Sequence, residues 1–379
     1  MQNEKVYDIA IIGGGLAGLS LAIESVKQHF SVILFEKEEY PYHKVCGEYI
    51  SFESWEFLQR LDVNLETMDL PQIKKLRLSN FSGKTYAFDL PLGGFGISRF
   101  NLDSQLYKLA LAAGVDIFTS CKVESISFHH EVFTVISASI TAKAKVAIGS
   151  FGKRSNLDVK WKRPFTTQKP NALNNYIGIK YHIKYSHPSN IISLHNFHNG
   201  YCGLSRIEDG KSCLCYLTTA DNLRKSENSV QQMEKQILFK NPQLKEIFSS
   251  AQFLYGQPLA ISQISFNKKQ QVENHVLMLG DAAGMISPLC GNGMSMAMHS
   301  ATIAAGIIKR FLAGELSRTK MEEEYTYRWQ KQFSKRLLIG RVVQRFFGGD
   351  TSTTFFLQTM KALPPLAKWI IQSTHGKPF

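Results

Sequence analysis

Three glycines near the start of the chain carry the first chemical signal. They follow an apolar run with GxGxxG spacing and are Gly13, Gly15 and Gly18. A glycine turn between a strand and a helix lets the backbone approach a pyrophosphate closely. The helix that begins at Leu16 and Ala17 would present free N–H groups and its positive end to the phosphates. A purely structural turn is the alternative.

An acid after the next apolar run completes the unit. Glu36 follows the run 32–35, and Lys37 is next to it. At the end of the second strand, the Glu36 carboxylate could accept hydrogen bonds from both ribose hydroxyls, and Lys37 joins it as a candidate binding residue. The order of strand, glycine turn, helix, strand and acid predicts dinucleotide binding.

A second motif lies near residue 280. The apolar run 277–279 leads into Gly280-Asp281, and a short loop then opens a helix of small residues through Gly291, Asn292, Gly293 and Met294. Asp281 could accept a hydrogen bond from a sugar-alcohol hydroxyl, and the helix N-terminus would face an electron-rich group. This arrangement suits the pyrimidine edge of a reduced flavin. The alternative makes Asp281 a simple helix cap.

With both motifs in this order, the chain resembles the FAD-dependent oxidoreductases related to p-hydroxybenzoate hydroxylase, and within them the geranylgeranyl reductases. The likeness runs from residue 6 to about residue 310. It implies that the glycine turn binds the FAD pyrophosphate, Glu36 the adenosine ribose and Asp281 the ribityl chain. Arg99, with Asp103 after it, is similar to a family segment whose arginine lies beside the cofactor. The alternative for Arg99 is an exposed ion pair with Asp103.

Cys46 is the candidate catalytic residue. The segment 41–48 is similar to the Pro-x-x-Lys-x-Cys-Gly motif of geranylgeranyl reductases, in which the cysteine lies near the flavin and the substrate double bond. A thiol there could deliver a proton or shape the pocket. Packing is the alternative for Cys46. His43 and Lys44 have weaker claims, as solvent-facing residues or anion contacts.

Two departures from the family pattern bear on the electron donor and the substrate. Phe151 stands where the superfamily carries an aspartate linked to FAD and nicotinamide binding, and only one dinucleotide fingerprint is present. NAD(P)H would therefore bind transiently, or a reduced protein would donate electrons. The stretch 200–206 lacks the tryptophan and proline of the reductases, and Tyr201 is interpreted as a half-buried sheet residue.

Composition narrows the class of protein and its location. The 379 residues carry a net charge of +13, which favours an anionic partner such as a phosphate-bearing cofactor or a lipid surface. We expect no nucleic-acid partner, because no nucleic-acid module is recognisable. We expect no metal site, because the six cysteines show no zinc spacing, and the early first strand favours a cytoplasmic protein over a secreted one.

The elements that must position these residues predict an α/β fold. It comprises a Rossmann-type FAD-binding domain, an inserted antiparallel-sheet substrate domain and a C-terminal helical tail. The FAD-binding domain is assigned to residues 1–80, 96–160 and 270–312, the substrate domain to 81–95 and 161–269, and the tail to 313–379.

The tail carries a basic segment, 327–347, with apolar residues near helical spacing and no acid. Such a helix could lie on anionic lipid or pack on the body with a solvated basic rim, and the apolar stretch 355–371 is too interrupted to span a membrane. Possible membrane association therefore stays open, as does the oligomeric state.

The sequence favours an FAD enzyme that acts on a hydrophobic small molecule. Two reactions fit equally: reduction of a carbon–carbon double bond, or hydroxylation of an aromatic or polyketide ring. A flavin-dependent halogenase and a non-catalytic flavin electron-transfer protein are the alternatives.

Overall fold

The chain forms two sheets joined by helices, as described by a computed structural model of residues 5–169, 171 and 173–379. Residues 1–4, 170 and 172 of the assigned domains lie outside this description. The predicted α/β class, with a Rossmann-type parallel sheet, a second and mostly antiparallel sheet, and a helical tail, is confirmed.

Within residues 5–169, 171 and 173–379, the first sheet has eight strands. They are β1 (Val6–Ile12), β2 (Val32–Phe35), β6 (Asp116–Phe118), β7 (Val123–His129), β8 (Val132–Ser137), β9 (Thr141–Gly149), β16 (Val272–Glu273) and β17 (Val276–Met278). The strands β17, β9, β1, β2 and β6 are neighbours and run parallel, which brings their carboxyl ends to one edge. The glycine turn, Glu36, Phe151 and Asp281 all follow such ends.

The second sheet has nine strands in the part of the chain that the structure describes. They are β3 (Tyr49–Ser51), β4 (Gln72–Ser79), β5 (Thr85–Gly96), β10 (Tyr176–Lys184), β11 (Ile191–Phe197), β12 (Gly200–Arg206), β13 (Ser212–Thr219), β14 (Gln252–Phe253) and β15 (Leu259–Ile264). Its pairs are antiparallel except β4 with β11. The strands β3 and β4 pair here, although the sequence predicts that residues 1–80 belong to the FAD-binding domain, which is built on the first sheet. Hydrogen bonding to β5 and β11 holds them in the second sheet. We call the first sheet with the helices packed on it the first lobe, and the second sheet with its helices the second lobe.

In the described residues, twelve α-helices surround the sheets. They are α1 (Leu16–Val26), α2 (Trp55–Arg60), α3 (Arg99–Ala112), α4 (Asn156–Lys160), α5 (Pro164–Thr167), α6 (Ala220–Lys225), α7 (Val230–Gln236), α8 (Pro242–Ser250), α9 (Gly293–Leu312), α10 (Arg318–Gln344), α11 (Asp350–Ala362) and α12 (Pro364–Thr374). The small residues of α1 and α9 let these two helices pack closely over the first sheet. The helix α3 starts at Arg99 because the Ser98 side chain caps it.

The basic helix of the tail packs on the body. Met321, Tyr325, Trp329 and Phe333 of α10 recur every four residues and are buried in the core of the first lobe. The Tyr325 hydroxyl donates to the main-chain oxygen of Met278, 2.5 Å away. Among the described residues, no helix combines the length and the apolar character that crossing a bilayer requires.

Candidate active site

The three glycines of the turn have different surroundings. A Cβ on Gly13 would overlap the main chain of Ser150, and one on Gly18 would overlap the carbonyl oxygen of Gly13. The space beside Gly15 is open, since the nearest atoms to its Cβ position belong to side chains 3.7 and 3.8 Å away. Gly13 and Gly18 therefore allow close chain packing, whereas Gly15 faces a cavity.

The N-terminus of α1 is free to bind an anion. No side chain caps this helix, and its first turn contains no acid. Gly15, Leu16 and Ala17 line the cavity at this end. The unpaired N–H groups and the positive helix end are suited to a pyrophosphate.

Two cations lie over the turn and share one buried acid. Arg99 makes two hydrogen bonds of 2.7 Å to the Asp103 carboxylate, and Lys44 Nζ makes a third of 2.8 Å. These cationic groups are the side chains near the Cβ position of Gly15. The ion pair of Arg99 is therefore formed, but it is buried at the cavity and leaves one net positive charge beside the turn. Lys44, which the sequence ranked low, belongs to this site.

Glu36 lies at the end of β2, where its carboxylate is buried and already oriented. One oxygen accepts the Gly14 N–H at 2.7 Å, and the other accepts the Glu38 N–H at 3.1 Å. Each oxygen keeps a lone pair for a hydroxyl. Lys37 lies at the exposed rim, paired with Glu38 at 3.3 Å.

Asp281 follows β17 and lines the same cavity. Its carboxylate makes no hydrogen bond to any of the residues that the structure describes, and Lys269 instead donates to its main-chain oxygen at 2.7 Å. Burial raises the pKa of the Asp281 carboxyl above its usual value. An enclosed acceptor without a partner fits a bound sugar-alcohol hydroxyl better than a helix cap.

The loop before α9 borders the cavity mainly with its main chain. Gly291 adopts a left-handed conformation, with φ of +62°. Asn292 is buried and binds Glu53 and Arg336 with its side chain, so it offers the cavity only main-chain groups. Gly293 and Met294 line the cavity at the uncapped N-terminus of α9.

Cys46 lies between the two lobes and lines the cavity. Its Sγ is 3.6 Å from the Met294 sulfur, and its main-chain oxygen accepts the Cys213 thiol of β13 at 3.2 Å. Burial raises the pKa of the Cys46 thiol. At neutral pH the group is therefore a protonated thiol, which suits proton donation better than nucleophilic attack.

A buried charge cluster next to Cys46 was not predicted. Glu48 accepts hydrogen bonds from the Lys180 ammonium and from His182 Nε2, the latter at 2.6 Å. His182 Nδ1 is 2.8 Å from the Tyr255 hydroxyl, which is 2.9 Å from His43 Nε2. Burial lowers the pKa of His43 to about 4, so this ring is neutral at pH 7. The available signal was that Lys180 and His182, two basic residues, stand between apolar residues inside β10.

This cluster also contains one set of potential metal ligands. Glu48, His182 and Cys213 hold their ligand atoms within 4.8 Å of one another. Both Glu48 oxygens are already bound, however, and the Lys180 ammonium takes the place of a cation. The donor set therefore suits an internal ion pair better than a metal ion.

One cavity of about 1400 Å³ joins these groups. One end carries the glycine turn, Glu36, Arg99 and Asp281. The other end reaches the second sheet and is largely apolar, with Ile192, Leu194, Tyr201, Leu217, Ile261 and Ile264. Tyr201 is buried rather than half-buried. The polar end fits the phosphates and sugars of FAD, and the apolar end leaves room for a hydrophobic molecule.

The comparison with protein families agrees with this geometry. Residues 6–331 match the family described as FAD binding domain. Conditioned medium factor receptor 1 of Dictyostelium discoideum is 23% identical over 91% of this chain and 71% of the relative. The 1H-pyrrole-2-carbonyl-[peptidyl-carrier protein] brominase of Pseudoalteromonas luteoviolacea is 22% identical over 86% of this chain and 82% of the relative.

Solved structures share the fold. The flavin-dependent brominase Bmp2 has a TM-score of 0.78 at 20% identity, over 98% of this chain and 93% of that chain. A geranylgeranyl bacteriochlorophyll reductase-like protein from Thermoplasma acidophilum has a TM-score of 0.75 at 18% identity, over 99% and 93%. The resemblance to the reductases is thus supported at the level of the superfamily, and halogenases stand nearer than the hydroxylases.

Proposed function

We propose that this FAD-dependent oxidoreductase acts on a hydrophobic small molecule at the apolar end of its cavity. The premise is that the chain belongs to the FAD binding domain family. The observation that carries the proposal is the single cavity, which joins an unpaired Asp281 and an uncapped α1 to the side chains of the second sheet. Bound FAD would supply two-electron redox chemistry there.

Different residues of the chain would bind different parts of FAD. The N–H groups of the glycine turn and the cations Lys44 and Arg99 would hold the pyrophosphate. Glu36 and Asp281 would accept hydroxyls of the cofactor. The apolar wall would exclude water from the substrate, which strengthens every polar interaction inside the cavity.

Halogenation is the first candidate reaction. It is supported by the brominase relative, which matches over most of both chains, and by the fold of Bmp2. In this reaction a halide replaces a hydrogen of an electron-rich ring, with oxygen as the oxidant and reduced FAD as the electron source.

Double-bond reduction is the second candidate, because Cys46 is a protonated thiol on the cavity wall. The Cys46 thiol would donate a proton to one carbon of the double bond and regain one from solvent, while bound FAD, in its reduced form, would supply the hydride for the other carbon and be left oxidised. Halogenation takes no proton from Cys46.

The mass of the product separates the candidates. Enzyme with FAD and a reducing system is incubated with apolar aromatics and polyprenyl lipids, aerobically with bromide and anaerobically without it. Replacement of one hydrogen by bromine supports halogenation, and a gain of two hydrogens supports reduction. A gain of one oxygen would instead identify a hydroxylase, and no product from any substrate would favour an electron-transfer protein.

The variant Cys46→Ala adds a second test. Loss of a general acid costs about 10²- to 10⁴-fold in rate, so the variant should reduce double bonds more slowly by that factor with FAD content unchanged. Halogenation should be unaffected. Cys202→Ala is the control, because Cys202 is also a free thiol but is fully buried in β12 and does not line the cavity.

A further inference from the structure

An exposed apolar surface lies on the last two helices. We call it the tail patch, and it consists of Phe355, Leu363, Leu366 and Trp369, which are 65%, 52%, 36% and 52% exposed. Every residue from 361 to 366 is exposed. Of the twelve large hydrophobic side chains exposed in the described parts of the chain, seven follow residue 325. Exposed apolar groups gathered in one region indicate an interaction surface.

The tail patch is distinct from the face that these helices turn inward. Leu357, Met360 and Ile371 are buried in one cluster with Tyr201 and Leu217, which line the apolar end of the cavity. The inner sides of α11 and α12 thus cover the substrate end. Their outer sides present the tail patch.

The surrounding charge is strongly positive. Residues 325–379 contain nine Lys and Arg but a single acid, Asp350. Lys361 and Lys368 are also exposed, and in the chain they lie close to Leu363 and Trp369 of the tail patch. Arg328, Lys331 and Lys335 are exposed on α10, and Arg345 is exposed directly after its end. Such a surface attracts an anionic partner.

The backbone of the tail patch suits an apolar medium. The N–H groups of Leu363, Leu366 and Ala367 all donate to main-chain oxygens, at 2.9 to 3.1 Å. Pro364 and Pro365 have no N–H group. The segment 363–367 therefore carries no free donor, which lowers the cost of entering lipid and leaves no N–H group for strand pairing with a protein.

We propose that the tail patch docks this protein on the surface of an anionic lipid bilayer. The leucines and Phe355 would enter the acyl boundary, and Trp369 would lie at headgroup level, where tryptophan is favoured. Lys361 and Lys368 would contact lipid phosphates. For segment 327–347 the sequence allowed either contact with lipid or packing on the body, and the structure packs most of its apolar residues into the body.

Sedimentation with vesicles tests the docking of the FAD-loaded protein. The protein should bind vesicles of equal parts phosphatidylcholine and phosphatidylglycerol, bind phosphatidylcholine alone more weakly, and lose affinity as salt rises. Leu363→Ser/Leu366→Ser should weaken binding by about tenfold or more. The matched control is Leu111→Ser/Ile136→Ser, since these side chains are 43% and 37% exposed on the first lobe. It should bind as the unaltered protein does.

Tryptophan emission gives a second measurement that does not depend on the leucine variants. Anionic vesicles should shift the emission of the unaltered protein to the blue, and Trp369→Phe should remove this shift while binding persists. The FAD content and thermal midpoint of each variant report its folding.

Three results would overturn the proposal. The first is absence of binding to either vesicle, and the second is binding that the leucine variant leaves unchanged. The third is a dimer, or a complex with an acidic carrier protein, that depends on Leu363 and Leu366 while vesicles are ignored.

Discussion

Gly13, Gly15 and Gly18 share one motif, but the atoms around them impose different requirements. Two of the three allow the chain to pack against itself, and only Gly15 faces open space. The sequence identified all three as binding residues because their spacing is local. It could not separate the two roles, since Ser150, which packs against Gly13, is more than 130 residues away.

Replacing Gly15 by valine should abolish FAD binding without unfolding the protein. The side chain would enter the space of the pyrophosphate, and beyond the two neighbouring residues the atoms within 4 Å of its Cβ position are the ends of the Lys44 and Arg99 side chains. We expect FAD content, measured by absorbance of the purified protein, to fall about tenfold or more, with the apoprotein stability unchanged.

Gly18→Ala is the matched control for that prediction. Its methyl group would overlap the Gly13 carbonyl, so the apoprotein should lose about 1 to 3 kcal/mol of stability, as for overpacked cores. Full FAD occupancy in Gly15→Val would show that the turn is only structural.

At the scale of elements, the acid Glu48 connects strand β10 to the first lobe. Lys180 and His182 project from the same side of β10 and both bind Glu48, which also accepts the Arg99 N–H at the start of α3, at 2.8 Å. The alternation of β10 is legible in the sequence. The partner of Lys180 could not be predicted from the sequence, because Glu48 is 132 residues away in the chain and only tertiary packing brings the two together.

Glu48→Gln should destabilise the protein by about 3 to 5 kcal/mol, because it leaves the Lys180 ammonium buried without its counter-charge. The double variant Glu48→Gln/Lys180→Met should lose less, since it removes the unpaired charge. Denaturant titration of the apoproteins measures both. Equal losses would mean that the charge pair is not what stabilises β10.

The same cluster predicts a response to acid. Burial alone would raise the pKa of Glu48, but the hydrogen bond from His182 and the charge of Lys180 outweigh it and hold the pKa below the usual 4.5. Its contribution to stability is therefore complete above pH 4.5 and is lost as the pH falls through the lower, folded-state value. The double variant should lose less stability on acidification than the unaltered protein.

At the scale of the whole molecule, sequence patterns locate the helices and strands, but they do not predict the contacts between elements that are distant in the chain. The first strand, the glycine turn, the helix after it and the helical character of the tail follow from local sequence patterns. The position of α11 and α12 over the apolar end of the cavity could not be predicted in this way. The pattern of an amphipathic helix shows that the helix packs, but not which surface it covers.

The way in which electrons reach the flavin also depends on the residues that line the cavity. Phe151 lines it where an aspartate was expected, with its ring 6.4 Å from that of Trp161. We therefore expect slow reduction by NADPH without substrate, through a nicotinamide that binds only after substrate or through a protein donor. Anaerobic stopped-flow mixing with and without substrate measures bleaching of the flavin band. Fast bleaching without substrate would contradict this prediction.

The buried Glu48 cluster constrains how related chains can diverge. Exchange of Glu48 or Lys180 alone passes through a form with an uncompensated interior charge, whereas exchange of both restores neutrality. Lineages should therefore keep or lose the two residues together, and His182 should be free to change only after them. The pair would then mark a branch point in descent, independent of which substrate each branch acquired.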